Sequence, residues 1–432
     1  MRILWLKSDL LLPLDKGGKL RTWHLLRHLA SRHRLTYVCF ADPDGPQEHV
    51  DGMRDVAEEV VTVPRREPAK RSARFYLEVA KRLLDPLPYA VAAYRSRRYR
   101  QAVERLLATQ EFDVVVSDFL PPVVNLPRQL LCPAVLFTHN VESDIWRRHA
   151  ETHRGAMRQL YRSQWRRMLK FERRALRRFD RVLAVSAEDQ QTFLRLFPDV
   201  AGQAIDVIPT GVDSTFFTPN PAAAGPRQLV FTGSMDWLPN EDAMLHFCRD
   251  ILPLIHEEEP ATTLTIVGRE PTARVQRLAG PRVTVTGRVD DVRPYLDQGT
   301  VFIVPLRVGG GTRLKIFEAM AMGKAVVSTS VGAEGLPVVD GRDLLLADSP
   351  LTFAKAVVHL LRDANRREAL EGAARELVVR HYDWSVVARH LDAALERTVA
   401  EGRRAPGGPS TSALPDPDGA DAKSAVLASA GR

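Results

Sequence analysis

At 432 residues the chain exceeds what one hydrophobic core organises, so two domains of ordinary size are expected. Its 45% apolar and 26% charged residues are the balance of a folded globular protein, which excludes the disordered and fibrous classes. Three cysteines, Cys39, Cys132 and Cys248, are too few and too scattered for a disulfide framework or a zinc cluster, and the formal charge of +8 is unevenly spread.

The chain opens on "RILWLKS", an apolar run of strand length. Lys7, Ser8 and Asp9 cut that run short of a signal-peptide core, and nowhere are there the roughly 18 consecutive apolar residues that a membrane-crossing helix needs. The expectation is a cytoplasmic chain, soluble or peripheral on the inner face of the cytoplasmic membrane. A loop with Gly17 and Gly18 leads into a helical stretch from Lys19 to Ser31, and "RLTYVCFA" at 34 to 41 reads as the next strand. The rhythm repeats in "DVVVSDF" (113 to 119), "AVLFTHN" (134 to 140), a long arginine-rich helix and "DRVLAVSAED" (180 to 189). Continuous apolar strands alternating with helices predict a doubly wound parallel sheet.

Two stretches of this half are strongly basic. Between Arg65 and Arg105 stand 12 Lys/Arg against 4 Asp/Glu, and between Arg147 and Arg181 13 against 3. Phe75, Tyr76, Tyr89, Tyr94, Tyr99, Trp146, Tyr161 and Trp165 interleave with them. Basic helices with aromatic residues of this kind fit an anionic bilayer surface, and solvated helix faces are the plainer explanation. No recognised nucleic-acid reader motif accompanies the arginines, so no nucleic-acid partner is expected.

A second series is expected to open at "AIDVIPTGVD", with the boundary near Gln203, and runs through "QLVFTGS", "TLTIVGR", "VTVTGR", "VFIVPL" and "AVVSTS". The expected division is an α/β domain over 1–205, a second over 206–380, a terminal helix over 381–402 packing back toward the first domain, and a disordered Gly/Pro/Ser/Ala-rich tail over 403–432. Two Rossmann-like domains facing across a cleft would gather the carboxyl ends of both sheets, where open α/β sheets bind ligands.

The stretch "VGGGTRLKIFEAMAMGKAVV" carries the clearest chemistry. Gly309, Gly310 and Gly311 allow close approach of backbone to a ligand, and a helix starting near Thr312 would present free N–H groups and its positive dipole end. Arg313 and Lys315 add two cations, the one able to grip a diphosphate bidentately, the other a point charge. Glu318, three residues past Lys315, lies on the same helical side and suits a ribose diol better than a phosphate. A Walker loop is excluded, because it would need Gly at Glu318 and Ser or Thr at Ala325. A capped helix with a local Lys315/Glu318 ion pair is the structural alternative.

Taken in chain order, "IPTGVDSTFF", "VFTGSMDWLPNEDA", "LTIVGRE", "VTGRVDDVRPYL" and "VPLRVGGGTRLKIFEAMAMGKAVVSTSVGAEGL" resemble the C-terminal half of the GT-B glycosyltransferases of family 4. More narrowly, "SMDWLPNEDAM" with "GGGTRLKIFEAMAMGKAVV" resembles the sugar transferases of exopolysaccharide and exosortase (PEP-CTERM) systems. The resemblance spans roughly residues 1 to 400. It implies that Glu318 is the second glutamate of the family's EX7E motif, the one that binds the nucleotide's ribose. The first glutamate's place is taken by Gly310, beside the donor sugar in the family. The Arg and Lys that family members carry after the first C-domain strand are also missing from "GSMDWLPNEDA", so Arg313 and Lys315 are expected to supply those cations. Arg288 and Val289 match the loop whose backbone reads the base, with Asp290 or Asp291 as a helix cap the plainer role. Gly233 and Ser234 sit at a strand end, as do Gly332 to Gly335 with Glu334. On the acceptor side, Gly17 and Gly18 match the family's first glycine-rich loop, and His139 stands where family members place a His near the donor sugar. Ser186 occupies a comparable strand end, where an N-cap with Asp189 three residues on explains it equally well.

The resemblance implies a retaining hexosyltransferase that moves a sugar from a nucleotide-diphosphate sugar to a lipid-linked (polyprenyl-type) or polysaccharide acceptor, without cofactor or bound metal. Asp236 stands alone, and no convincing DxD pair is found at a strand end. His139, Arg313 and Lys315 are the expected catalytic residues. Donor binding is expected from Gly17, Gly18, Gly233, Ser234, Arg288, Val289, Gly310, Gly311, Thr312 and Glu318. A nucleotide-sugar 2-epimerase and a non-catalytic GT-B binding protein are the alternatives.

Overall fold

The computed structural model describes residues 1–66, 72–200, 202–220, 227–308 and 314–402. The chain divides into two units, Met1–Ile208 together with Ala388 onward, and Pro209–Val387. The tail over 403–432 lies outside the described residues.

In the first unit, strands β1 (Arg2–Asp9), β2 (Arg34–Ala41), β3 (Glu59–Pro64), β4 (Val114–Asp118), β5 (Ala134–Phe137), β6 (Arg181–Ala184) and β7 (Ala204–Val207) form one parallel sheet in the order β3-β2-β1-β4-β5-β6-β7. Ile3–Ser8 and all of β4, β5 and β6 are buried, as strands covered on both faces must be. Helix α1 (Gly17–Ala30) follows β1, and α2 (Ala73–Leu84) lies between β3 and β4. Helices α3 (Glu142–Thr152) and α4 (Gly155–Arg178) join β5 to β6, and α5 (Ala187–Leu196) joins β6 to β7.

The second unit holds β8 (Gln228–Thr232), β9 (Thr263–Val267), β10 (Val283–Val285), β11 (Val301–Val304), β12 (Ala325–Ser328) and β13 (Leu345–Leu346), parallel and in the order β10-β9-β8-β11-β12-β13. Its helices include α6 (Leu238–His246), α7 (Leu314–Ala321) and the start of α8 (Trp384–Glu401), which continues in the first unit. Both units are thus Rossmann-like and doubly wound. Strand order reverses between β1 and β4 and between β8 and β11, and ligands bind at the carboxyl ends of such switch points.

The expectation that "AIDVIPTGVD" opens the second series is corrected. Ala204–Val207 pairs in parallel with β6 as the seventh strand of the first sheet, and Arg181 of β6 ties to Asp206 at 2.8 Å. The first division therefore falls after Ile208, not at 205, and the second after Val387, not at 380. Strands β3 and β13 have no counterpart in the sequence reading. Gly17 and Gly18 form the first turn of α1 and do not belong to a loop ahead of it.

Trp384, Val387, Leu391 and Ala394 of α8 are all buried. The Asp383 carboxylate accepts from Ser385 N at 2.9 Å and from Ser214 N at 3.2 Å, capping the helix and pinning it to a preceding loop. A Cβ on Gly211 would stand 2.6 Å from the Trp384 ring, so only glycine allows that contact. Within the first unit His33 Nε2 lies 2.6 Å from Asp392, and Arg181 reaches Thr398 and Glu401 at 2.8 and 2.7 Å.

Candidate active site

In the first unit, polar groups converge at the carboxyl ends of β1, β4 and β5, on the switch point. Asp118, fully buried at the end of β4, is their hub. It accepts from Thr22 Oγ1 at 2.6 Å and from Trp5 Nε1 at 3.0 Å, and Lys7 Nζ lies 3.0 Å away. Lys7 also donates to Thr22 Oγ1 at 2.9 Å. His139 Nε2 sits 2.6 Å from the other carboxylate oxygen. Burial pushes the Asp118 carboxyl up, but Lys7, His139 and Thr22 together hold it below the usual carboxylate range.

His139 is pushed down to about 4 by burial and by Lys7, with Asp118 opposing. Its imidazole is therefore neutral near pH 7. With Nε2 facing a carboxylate, the proton belongs on Nε2, which leaves the Nδ1 lone pair as the acceptor. That face of the ring is turned toward α1, where a Cβ on Gly18 would stand 3.3 Å from Nδ1. The Gly17–Gly18 turn thus keeps the first turn of α1 bare beside an unprotonated imidazole nitrogen. Lys16 caps α1 without a side-chain hydrogen bond.

Arg21 of α1 is buried too, its guanidinium 4.2 Å above the Phe137 ring and donating to Ile208 O. Burial pulls its pKa down to about 10. Arg21 Nε and Ser8 Oγ are buried with no hydrogen-bond partner among the described residues. Ser186 accepts from Asp189 N at 3.1 Å, so it is the N-cap of α5.

In the second unit, Lys315 of α7 reaches the end of β8. Its ammonium donates to Asn240 Oδ1 at 2.9 Å and sits 4.0 Å above the Phe231 ring. Asn240 in turn donates to Ser234 O at 2.8 Å. A Cβ on Gly233 would stand 2.6 Å from Asn240 Nδ2 and 2.7 Å from Lys315 Nζ, so this glycine makes room for the cation. The Ser234 hydroxyl accepts from Arg269 Nε at 2.8 Å and bonds Asp236.

Glu318, one turn past Lys315, is half-buried and makes no side-chain hydrogen bond among the described residues. Burial pushes it up to about 7, with Lys315 pulling the other way. Gly310, Gly311, Thr312 and Arg313, with Gly309, lie outside the described residues. Arg288 is exposed and Val289 half-buried, next to Gly287 in the left-handed region at φ 72°. The N-cap of the helix that follows is Val292 and neither Asp290 nor Asp291, although Asp291 just ahead of it accepts from Arg293 N at 2.9 Å. Gly332 packs against the end of β11, where a Cβ would meet Val304 O at 2.7 Å, and Glu334 is half-buried.

The structure brings His139, Gly17 and Gly18 together in one unit and Lys315, Gly233 and Ser234 in the other. Sequence reading missed Asp118, Lys7, Thr22, Arg21 and Asn240. Asp118 had one legible signal, an acid at the end of an apolar strand of the first half.

Two family models match the chain, one described as Glycosyltransferase Family 4 over residues 16–216 and one as Glycosyl transferases group 1 over residues 226–363. A phosphatidyl-myo-inositol mannosyltransferase of Mycobacterium leprae is 31% identical over 208 residues, which are 46% of this chain and 54% of the relative. An alpha-maltose-1-phosphate synthase of Mycolicibacterium smegmatis is 27% identical over 248 residues, 50% of this chain and 63% of the relative. The chain spans about half the length of the curated relatives it matches. Among solved structures, sucrose-phosphate synthase from Thermosynechococcus elongatus superposes with a TM-score of 0.66 at 18% identity, over 93% of this chain and 100% of that one. Anabaena Alr3699/HepE in complex with UDP does so with a TM-score of 0.63 at 15% identity, over 92% and 100%. These structures share its fold. No helix among the described residues is long and apolar enough to cross a membrane.

Proposed function

Because the chain belongs, in the two domains these models match, to the group 1, family 4 glycosyltransferases of GT-B fold, we propose that it is a retaining hexosyltransferase acting on a nucleotide-diphosphate sugar. Its acceptor in this reading is lipid-linked or a growing polysaccharide, in exopolysaccharide or other cell-surface glycan synthesis. The observation that carries the reading is Lys315 held at the end of β8 by Asn240 across Gly233, with Glu318 one turn further on.

An ammonium at that strand end stabilises the negative charge that grows on a departing diphosphate, and one already in position needs no reorganisation as the bond breaks. Arg313 and the backbone of 309 to 312 adjoin it in sequence and serve the same charge. Gly310 brings no carboxylate to the donor sugar, so the sugar is read by other groups. A deprotonated Glu318 accepts from a ribose diol, Arg288 and Val289 meet the base, and Gly17, Gly18 and the Nδ1 of His139 belong to the sugar's side. With the cations supplied by side chains, the reaction needs no metal. The relatives' names support the two substrates separately: one transfers mannose to phosphatidyl-myo-inositol, and one neighbour was solved with UDP. The working place is the cytoplasm, at the inner face of its membrane.

A panel of nucleotide sugars read by thermal shift tests the donor, since a ligand of the folded state raises its apparent stability. A shift with one nucleotide sugar, lost in Lys315→Ala, is expected, as is an NMR product spectrum with the donor's anomeric configuration. Absence of a shift across the panel would overturn the reading. Turnover of a donor without acceptor and without nucleotide release would replace it with an epimerase.

A further inference from the structure

Helix α2 turns one apolar stripe outward, while Phe75, Val79 and Leu83 on its other side are half-buried. Ala73, Leu77, Ala80 and Leu84 recur at the spacing of one helical stripe and all four are exposed, Leu77 at 55% and Leu84 at 85%. Tyr76, 60% exposed, flanks the stripe on one side and exposed Lys81 on the other. A surface helix of a globular protein normally shows water a polar face and not a second apolar stripe. The helix is nonetheless fixed at both ends. Ser72 accepts from Phe75 N at 3.1 Å, and Arg167 of α4 donates to the carbonyls of Leu83 and Asp85 at 2.7 and 2.6 Å.

Beside the helix is a pocket of about 190 Å³ lined by Arg65, Arg66, Arg82 and Arg95, with Phe40 and Glu78. Arg82 belongs both to α2 and to the pocket. The Arg65 guanidinium stacks 4.2 Å above Tyr94, Arg66 pairs with Asp44 at 2.8 Å, Arg95 pairs with Asp85, and Arg82 stands 3.8 Å from Glu78. Four guanidinium groups gathered at the edge of an exposed leucine stripe suit a surface that offers hydrocarbon and phosphate side by side.

We infer that α2 docks on an anionic bilayer, with Tyr76, Leu77 and Leu84 entering the headgroup boundary and the arginine pocket taking a lipid phosphate. The inference rests on the lipid-linked acceptor proposed above and names the part of the chain that meets the lipid. A second copy of this chain is a poorer occupant. An isologous pair would bring each arginine cluster toward its own duplicate.

The test uses the full chain and vesicles of phosphatidylcholine alone or mixed with phosphatidylglycerol, in a flotation assay at low and high salt. Binding to the mixed vesicles, weakened by salt, is expected. The double variant Leu77→Glu/Leu84→Glu should bind them at least about tenfold more weakly, because each leucine would otherwise leave water. Both leucines are exposed, so the variant should melt with the parent and keep its nucleotide-sugar thermal shift, which separates failure of docking from failure of the donor reading. Arg65→Gln/Arg82→Gln should reduce the salt dependence. Equal binding to both kinds of vesicle, undiminished binding by the leucine variant, or a dimer in light scattering that the leucine variant dissolves would each overturn the inference.

Discussion

His139 Nε2 lies 2.6 Å from Asp118 Oδ1, and the same carboxylate's other oxygen accepts from Thr22 and Trp5 with Lys7 3.0 Å away. One buried acid therefore fixes both the tautomer and the direction of the imidazole. Asp118→Asn keeps the shape but leaves Lys7 without its counter-charge, and breaking a buried pair in this way costs about 3 to 5 kcal/mol. The expected result is a lower urea midpoint together with at least about a tenfold lower kcat, since the imidazole loses its orientation. Because Asp118 is what holds the His139 pKa up against burial, His139 in the variant should stay neutral to still lower pH, which an NMR titration reads. A variant with parental kcat would remove His139 from the site.

Lys315→Ala should weaken donor binding by about 1.5 to 3 kcal/mol, the range of a charge-assisted hydrogen bond, as measured by isothermal calorimetry. Thermal stability should change less, because Lys315 is itself only half-buried, although its ammonium rests on the buried Phe231 ring. Gly233→Ala should act in the same direction, because its methyl group would occupy the space of Asn240 and the Lys315 ammonium. Unaltered donor affinity in both variants would place the diphosphate elsewhere.

Donor affinity should also depend on pH through Glu318. Burial lifts this carboxyl from 4.5 to about 7, and only its ionised form accepts hydrogen bonds from both ribose hydroxyls. Affinity should rise roughly tenfold between about pH 6 and pH 8, following the ionised fraction. Glu318→Gln should lose that dependence while binding weakly throughout.

Folding stability should fall as pH rises from about 5 to 8. Burial lifts Glu172, which accepts from the first N–H groups of α3 at 2.9 and 3.1 Å, to about 8, and Glu142 and Glu318 to about 7. Each holds a proton that the unfolded chain, with an ordinary value of 4.5, has released, so the native state binds more protons across that window. Asp118 works oppositely: held below 3.8, its contribution is present above the usual range and lost on acidification. Urea midpoints from about pH 5 to 8 check the first limb and midpoints below about pH 4 the second, and a flat profile would contradict them.

Gly211→Ala should destabilise the second unit by about 1 to 3 kcal/mol, because the new methyl group would overlap the Trp384 ring. The shift in urea midpoint measures it. Trp384→Leu in the same background should recover part of the loss.

Much of the architecture was legible because parallel strands buried on both faces leave uninterrupted apolar runs, such as "VVVS" in β4 and "AVVS" in β12. Strands β3 and β13 are only partly buried, and their sequences lack that signature. The seventh strand was assigned to the wrong series because "AIDV" reads the same whichever sheet it joins. Its partner is settled by pairing with β6 and by the Arg181–Asp206 contact, neither of which a local pattern contains.

The glycine-rich stretch before Leu314, its cations and Glu318 were visible as residue types at helical spacing, because the spacing of a helix is written locally. What Lys315 touches was not. Asn240 and Phe231 lie some 75 and 84 positions away along the chain, and only the parallel pairing of β8 with β11 brings them to it. The same holds for Asp118, 111 residues after Lys7 and 21 before His139, an unremarked acid until β1, β4 and β5 are laid side by side. The sequence by itself determined the fold class, through local periodicity, and an anion-binding stretch, through residue type, while the kind of reaction was legible only through the family resemblance its motifs carry. The tertiary structure alone decided which groups share a low-dielectric site, because only neighbours in space can shift a proton or aim a ring.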